Sequence, residues 1–99
     1  MDLNRQLKNA IATGTLRFGQ RQALDACARG EAKLVIFAAN CPTEFTDELH
    51  ANHPEVTKFR SGLVNRELGI ACSKPFSVST ISIIDAGESD LLQLETNIE

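Results

Sequence analysis

Ninety-nine residues, 42% hydrophobic and 23% charged, suit one compact domain spanning 1–99, because a chain of this length cannot fill two separate cores. Nothing in the sequence approaches the ~20 apolar residues of a membrane helix or an amino-terminal export signal, so the expected compartment is the cytoplasm, without membrane contact. The formal charge of −3 speaks at first against nucleic acid, whose phosphates usually call for a basic excess.

The first predicted element is a helix over about residues 2–12, with Leu3, Leu7, Ala10 and Ile11 at helical spacing and Asp2 as its cap. Thr13-Gly14 ends it. A short strand, Thr15 to Phe18, leads through Gly19 into a helix that runs to Arg29 and closes at Gly30. Ala23, Leu24, Cys27 and Ala28 form the buried stripe expected of that helix. Lys33 to Ala38, with Leu34-Val35-Ile36-Phe37 unbroken, predicts a central strand covered on both faces. A weaker helix from Thr43 to about Asn52 stops before Pro54, and Glu55 to Arg60 reads as a short strand. Leu63 to Cys72 is a further helix. Phe76 to Ile84 is strand-like, but Val78 falls out of phase with Ile81 and Ile83, which predicts a bulge near Val78 or Ser79. Turn chemistry at Ala86-Gly87 precedes Leu91, Leu92 and Leu94. Alternating helices and strands imply an α/β chain, a three-layer α/β/α sandwich around a mixed sheet of about four strands.

Charge is unevenly spread. Asp85, Glu88, Asp90, Glu95 and Glu99 carry no base among them, whereas residues 1–84 hold ten bases against eight acids, so the body offers a basic face although the whole is acidic. Cys27, Cys41 and Cys72 lack the Cys-x-x-Cys spacing of a zinc ribbon and are odd in number, which points to reduced structural thiols. His50 and His53 share a helix face with Glu44, Asp47 and Glu48 nearby, a metal arrangement in outline but more often a solvated surface. No Walker-type loop, His-Glu-x-x-His or nucleophile elbow is present to support an enzyme.

The sequence carries a resemblance in several ordered motifs. Gly19-Gln20-Arg21 opens a helix, Gly30-x-Ala32-Lys33-Leu34-Val35-Ile36-x-Ala38-Ala39-Asn40-Cys41-Pro42 crosses the central strand, Glu67-Leu68-Gly69 belongs to a later helix, and Lys74-x-Phe76-x-Val78 enters a strand. Together with Ile84-Asp85-Ala86-Gly87-Glu88-Ser89-Asp90-Leu91-Leu92, they span residues 3 to 94. In this order they resemble the ribosomal protein L-thirty-e family of the kink-turn-binding superfamily. The resemblance implies a non-enzymatic component of the archaeal or eukaryotic large ribosomal subunit, working without cofactor. Its expected partners are ribosomal RNA with a kink-turn and neighbouring ribosomal proteins, and outside the ribosome it is expected to be a monomer.

The resemblance also implies an RNA surface of three loops, carrying Gly19, Gln20 and Arg21, then Asn40, then Lys74 and Phe76. Each has a physical basis. Gly19 lets backbone approach a ligand closely, Arg21 offers a bidentate donor, the Asn40 amide offers donor and acceptor to a base edge, and Phe76 offers a face for stacking. The structural alternatives are a plain turn at Gly19, a solvated Arg21, an Asx turn at Asn40 and a core Phe76. Thr43-Glu44-Phe45-Thr46 lacks the basic residue usual in the family after its Asn-x-Pro element, Ser73 stands where glycine is typical, and Ser77 stands where arginine is common. Fewer cations imply a weaker electrostatic grip. Competing functions are a kink-turn protein of a non-ribosomal ribonucleoprotein and an acidic protein-docking module.

Overall fold

The computed structural model describes residues 1–98. Helices and strands alternate as α1 (Leu3–Thr13), β1 (Thr15–Phe18), α2 (Gln20–Ala28), β2 (Leu34–Phe37), α3 (Thr43–Asn52), β3 (Thr57–Arg60), α4 (Asn65–Ala71) and β4 (Thr80–Asp85), with a 3-10 turn at Leu91–Gln93. The strands form one sheet in the order β1-β4-β2-β3. Strand β2 runs parallel to β3 and antiparallel to β4, and β1 is antiparallel to β4. This is the mixed four-stranded sheet, with helices on both faces, that the alternation predicts. No helix among the described residues is long and apolar enough to cross a membrane.

The period-two alternation of strand side chains divides the core in two. On one face Leu34, Ile36, Ile81 and Ile83 pack under Leu7 and Ala10 of α1, Leu68 and Ala71 of α4, and Leu91. On the other, Val35 and Phe37 meet Ala23, Ala26 and Cys27 of α2 and Leu49 of α3. All four residues of β2 are buried, because β2 lies between two strands and under both helical layers.

Local chemistry sets the ends. The Asp2 carboxylate accepts the Arg5 N–H at 3.3 Å and caps α1. Gly30, at φ +70°, follows the close of α2. Helix α3 lies between Pro42 and Pro54, and the turn after it, in which the Val56 N–H reaches the His53 carbonyl, delays β3 to Thr57.

Two expectations need correction. The buried stripe of α2 is Ala23, Ala26 and Cys27, whereas Leu24 is 46% exposed and Ala28 is exposed. Small alanines let α2 lie close to the sheet, which turns the larger Leu24 outward. The predicted bulge near Val78 is also absent, because β4 begins only at Thr80. Val78 is buried in the preceding loop, its N–H bonded to the Asn65 carbonyl at 3.0 Å. The irregular step lies at the other end of β4, where Thr15 pairs with Asp85 and Leu16 with Ile83, passing over Ile84.

The outer edge of β3 is covered by the carboxyl-terminal segment. The Lys58 N–H donates to Thr96 Oγ1 at 3.2 Å and the Lys58 carbonyl accepts the Asn97 N–H at 3.1 Å. The Asn97 side chain then continues the pattern, with Oδ1 taking the Arg60 N–H at 2.6 Å and Nδ2 reaching the Arg60 carbonyl at 3.0 Å. Glu99, the last acid of that segment, lies outside the described residues.

Candidate nucleic-acid interface

Sheet register brings three loops to one edge. Phe18 pairs with Ile81 and Phe37 with Thr80, so the ends of β1 and β2 both meet the start of β4. The Gly19 N–H donates to the Thr80 carbonyl at 2.8 Å, and the Ala38 N–H to the Ser79 carbonyl at 2.8 Å. Gly19–Arg21, Asn40 and Lys74–Phe76 therefore emerge around the start of one strand.

At the first loop, Gly19 has φ +103° and ψ 162°, a conformation that side-chain-bearing residues rarely adopt. Gln20 and Arg21 open α2 immediately after it, Gln20 half-buried and Arg21 exposed. Among the described residues the Arg21 guanidinium is in no ion pair, which leaves its fork of donors facing solvent.

At the second loop, Asn40 is tied across to the start of α4 rather than to its own turn. Its Oδ1 accepts the Asn65 N–H at 2.8 Å, and its Nδ2 donates to Asn65 Oδ1 at 3.1 Å. Asn40 is exposed and keeps one further amide hydrogen and acceptor site. Arg60 holds the backbone of this loop from within. Its Nη1 donates to the carbonyls of Ala38, Ala39 and Cys41 at 3.1, 3.2 and 3.1 Å, and its Nη2 to Thr46 Oγ1 at 3.0 Å. A planar fork collects these acceptors as a single ammonium could not.

At the third loop, Phe76 is 56% exposed, which decides against its core alternative. Gly69 sets that position. A Cβ at residue 69 would fall on the Phe76 carbonyl oxygen, so only glycine lets α4 and the loop pack this closely. The Lys74 N–H donates to the Gly69 carbonyl at 2.9 Å, and Lys74 Nζ lies 4.5 Å from the centroid of the Phe18 ring. Ser73, at φ +58°, is the one non-glycine residue with positive φ among those described. The family glycine expected there is the residue that this left-handed backbone favours.

The three loops share an edge but not one depression. Asn40 borders a hollow with Pro42, Thr43, Asp47 and Arg60, whereas Lys74 and Phe76 border another with Arg66 and Ile70. Sequence reasoning did not single out Arg60, Asn65 or Arg66. Only Asn65 and Arg66 had a visible signal, their place just before the Glu67-Leu68-Gly69 motif.

Elsewhere the chemistry is structural. All three cysteines are buried and free, and burial raises their thiol pKa values, that of Cys72 to about 11. Such thiols stay protonated and unreactive at neutral pH. Among the described residues no three His, Cys, Asp or Glu side chains gather as metal ligands would. His53 Nδ1 instead lies 3.7 Å from Glu55 Oε1, and its carbonyl accepts from Lys58 Nζ.

Comparison with known proteins places this architecture. Residues 1–93 match the model of the ribosomal protein L7Ae/L30e/S12e/Gadd45 family. A large ribosomal subunit protein eL30 of Methanospirillum hungatei is 44% identical over 94 residues, 95% of this chain and 98% of the relative. The protein of the same name from Methanoregula boonei is 41% identical over 96% of this chain and 97% of its own. A solved structure of a protein with unknown function from Bacillus halodurans has a TM-score of 0.79 at 23% identity, covering 93% of each chain, a likeness of fold. With its sheet order, its motifs and a full-length match of this kind, the chain belongs to the ribosomal protein L7Ae/L30e/S12e/Gadd45 family.

Proposed function

We propose that this chain is a structural constituent of the large ribosomal subunit that binds a kink-turn in ribosomal RNA through Gly19, Gln20, Arg21, Asn40, Lys74 and Phe76. Relatives named large ribosomal subunit protein eL30, at 44% and 41% identity over nearly the full length, support the ribosomal part of this reading. The chain is an RNA-binding protein of the ribosome and not an enzyme. One observation carries the finer part: Phe76, held outward by the close approach of Gly69, stands at the same sheet edge as the free Arg21 guanidinium.

A kinked helix exposes unstacked bases and crowds its phosphates, and these two features need different groups. Phe76 supplies a face on which a base stacks. Arg21 supplies charge and paired donors for phosphate. The surface works as a monomer with neighbouring ribosomal proteins around it, and no cofactor takes part.

The test compares a kink-turn RNA with its straight-duplex control. The parent should bind only the kinked RNA. Phe76→Ala should weaken that complex by ~1–3 kcal/mol with little change in salt dependence, whereas Arg21→Ala should lower the salt slope by about one. Folded variants that bind like the parent would refute this edge as the RNA surface.

A further inference from the structure

We propose that Arg66 is a further RNA contact, the phosphate-binding cation of the hollow where Phe76 receives a nucleotide. This inference rests on the kink-turn reading above and adds a residue to it. Arg66, Ile70, Lys74, Pro75, Phe76 and Ser77 line one open hollow of about 360 Å³, at the small end of ligand-binding volumes. Its floor is apolar and unusually bare, with Ile70 67% and Phe76 56% exposed.

The two cations of the hollow are not equivalent. Lys74 is half-buried and its ammonium sits over the Phe18 ring, 4.5 Å from the centroid. Arg66 is exposed, and its guanidinium has neither ion pair nor hydrogen bond among the described residues. Its backbone is nevertheless fixed: the Arg66 N–H donates to Asn65 Oδ1 at 2.8 Å, and Asn65 is locked to Asn40. A free guanidinium on an anchored backbone, beside an exposed aromatic face, matches one unstacked nucleotide, with a π-surface for the ring and a bidentate donor for its phosphate. Ser77 lines the same hollow and carries no charge. Arg66 therefore supplies from α4 the guanidinium that Ser77 does not, while the loop's own cation, Lys74, is engaged with the Phe18 ring.

The experiment titrates kink-turn RNA, at salt concentrations from about 50 to 200 mM, against Arg66→Ala, Arg66→Lys and the double variant Arg66→Ala/Ser77→Arg. Phe76→Ala serves as the control for the edge itself. Arg66→Ala should lose roughly three- to tenfold in affinity at low salt and about one in salt slope, at an unchanged denaturation midpoint. Arg66→Lys should keep the slope. Ser77→Arg in the Arg66→Ala background should restore both, because it returns a guanidinium to the same hollow. Unchanged binding by Arg66→Ala while Phe76→Ala loses affinity would overturn the role of Arg66 and leave the edge standing. A loss of affinity without a change of slope, or one that Ser77→Arg fails to restore, would also overturn it. A parent that binds kinked and straight RNA alike would remove both proposals.

Discussion

The two faces of the sheet are built from different materials. Under α1 and α4 the strands present Leu34, Ile36, Ile81 and Ile83. Under α2 and α3 the apolar Val35 and Phe37 alternate in register with polar neighbours, since Val35 pairs with Lys58 and Ser82, and Phe37 with Arg60 and Thr80. Lys58, Ser82, Thr80 and Thr46 are all buried there, and among the described residues Ser82 Oγ has no hydrogen-bond partner. Buried polar groups cost free energy unless paired, so this second face gives up stability. In exchange it gains directional ties, of which Arg60 to the Asn40 loop is the clearest. One face holds the sheet together; the other shapes the edge proposed to bind RNA.

The largest test of that contrast is Ile36→Ala. Ile36 is wholly buried on the apolar face, so its truncation should destabilise the fold by about 2–5 kcal/mol. An unchanged denaturation midpoint would mean that the main core lies elsewhere.

Lys58→Met, on the other face, should act in the opposite direction and stabilise by roughly 1–2 kcal/mol near neutral pH. Burial holds the Lys58 ammonium below the ordinary lysine pKa, so the unfolded chain binds that proton more tightly than the folded one. The penalty is full below the folded-state pKa and fades as pH rises toward the unfolded value of about 10.5. The advantage of Lys58→Met over the parent should shrink over that window in paired urea melts, where the titrations of Cys41 and Cys72, common to both proteins, cancel, and a Cys27→Ala background removes that of Cys27, which interacts with Lys58. A methionine variant less stable than the parent at neutral pH would break the contrast between the faces.

Arg60→Lys sharpens it further. The charge remains, but one ammonium cannot serve the three carbonyls and the Thr46 hydroxyl together. Stability should fall by about 1 kcal/mol. Kink-turn affinity should drop a few-fold with an unaltered salt slope, as expected of a positioning residue rather than a phosphate contact.

The smallest effect concerns a local flaw at the exposed Ser73, just past α4. Ser73→Gly relieves the positive φ of residue 73 but loosens the unfolded chain, for a net gain of about 0.5–1 kcal/mol. A lower melting temperature would show that the serine side chain contributes more than its backbone costs.

How much of this was legible depends on the kind of signal. The apolar run Leu34–Phe37 announced a central strand because burial on both faces leaves no alternation to confuse. Pro42 and Pro54 framed α3 so firmly that its observed bounds, Thr43–Asn52, match the expected ones. The stripe of α2 was misread because hydrophobicity favours leucine, whereas close packing on a sheet favours alanine. The start of β4 was misplaced because Val78 is buried by a loop, and periodicity cannot distinguish that from burial in a strand. Of the proposed site, Gly19 and Phe76 carried local signatures, a turn glycine and an aromatic after Pro75. Lys58 and Arg60 carried none, since a cation alternating with apolar residues looks like the wet side of an edge strand. Only the pairing of β3 with β2, far apart in sequence, turns them inward.

The clasp of Thr96 and Asn97 on β3 also has a consequence in time. Asn97 follows Arg60 by 37 positions, whereas β3 follows its partner β2 by 23, so as the unfolded chain collapses β3 can pair with β2 before the residues that sheathe its outer edge have docked. Throughout that interval the N–H and C=O groups of Lys58 and Arg60 lie open to any extended strand that drifts past. Removing residues 95–99, a segment without a base that the RNA has little reason to touch, would make that interval permanent. The truncated chain should keep its RNA affinity yet drift toward self-association as concentration rises, which sedimentation would detect. Thr96 and Asn97 thus occupy backbone groups of β3 with which a second extended chain would otherwise pair.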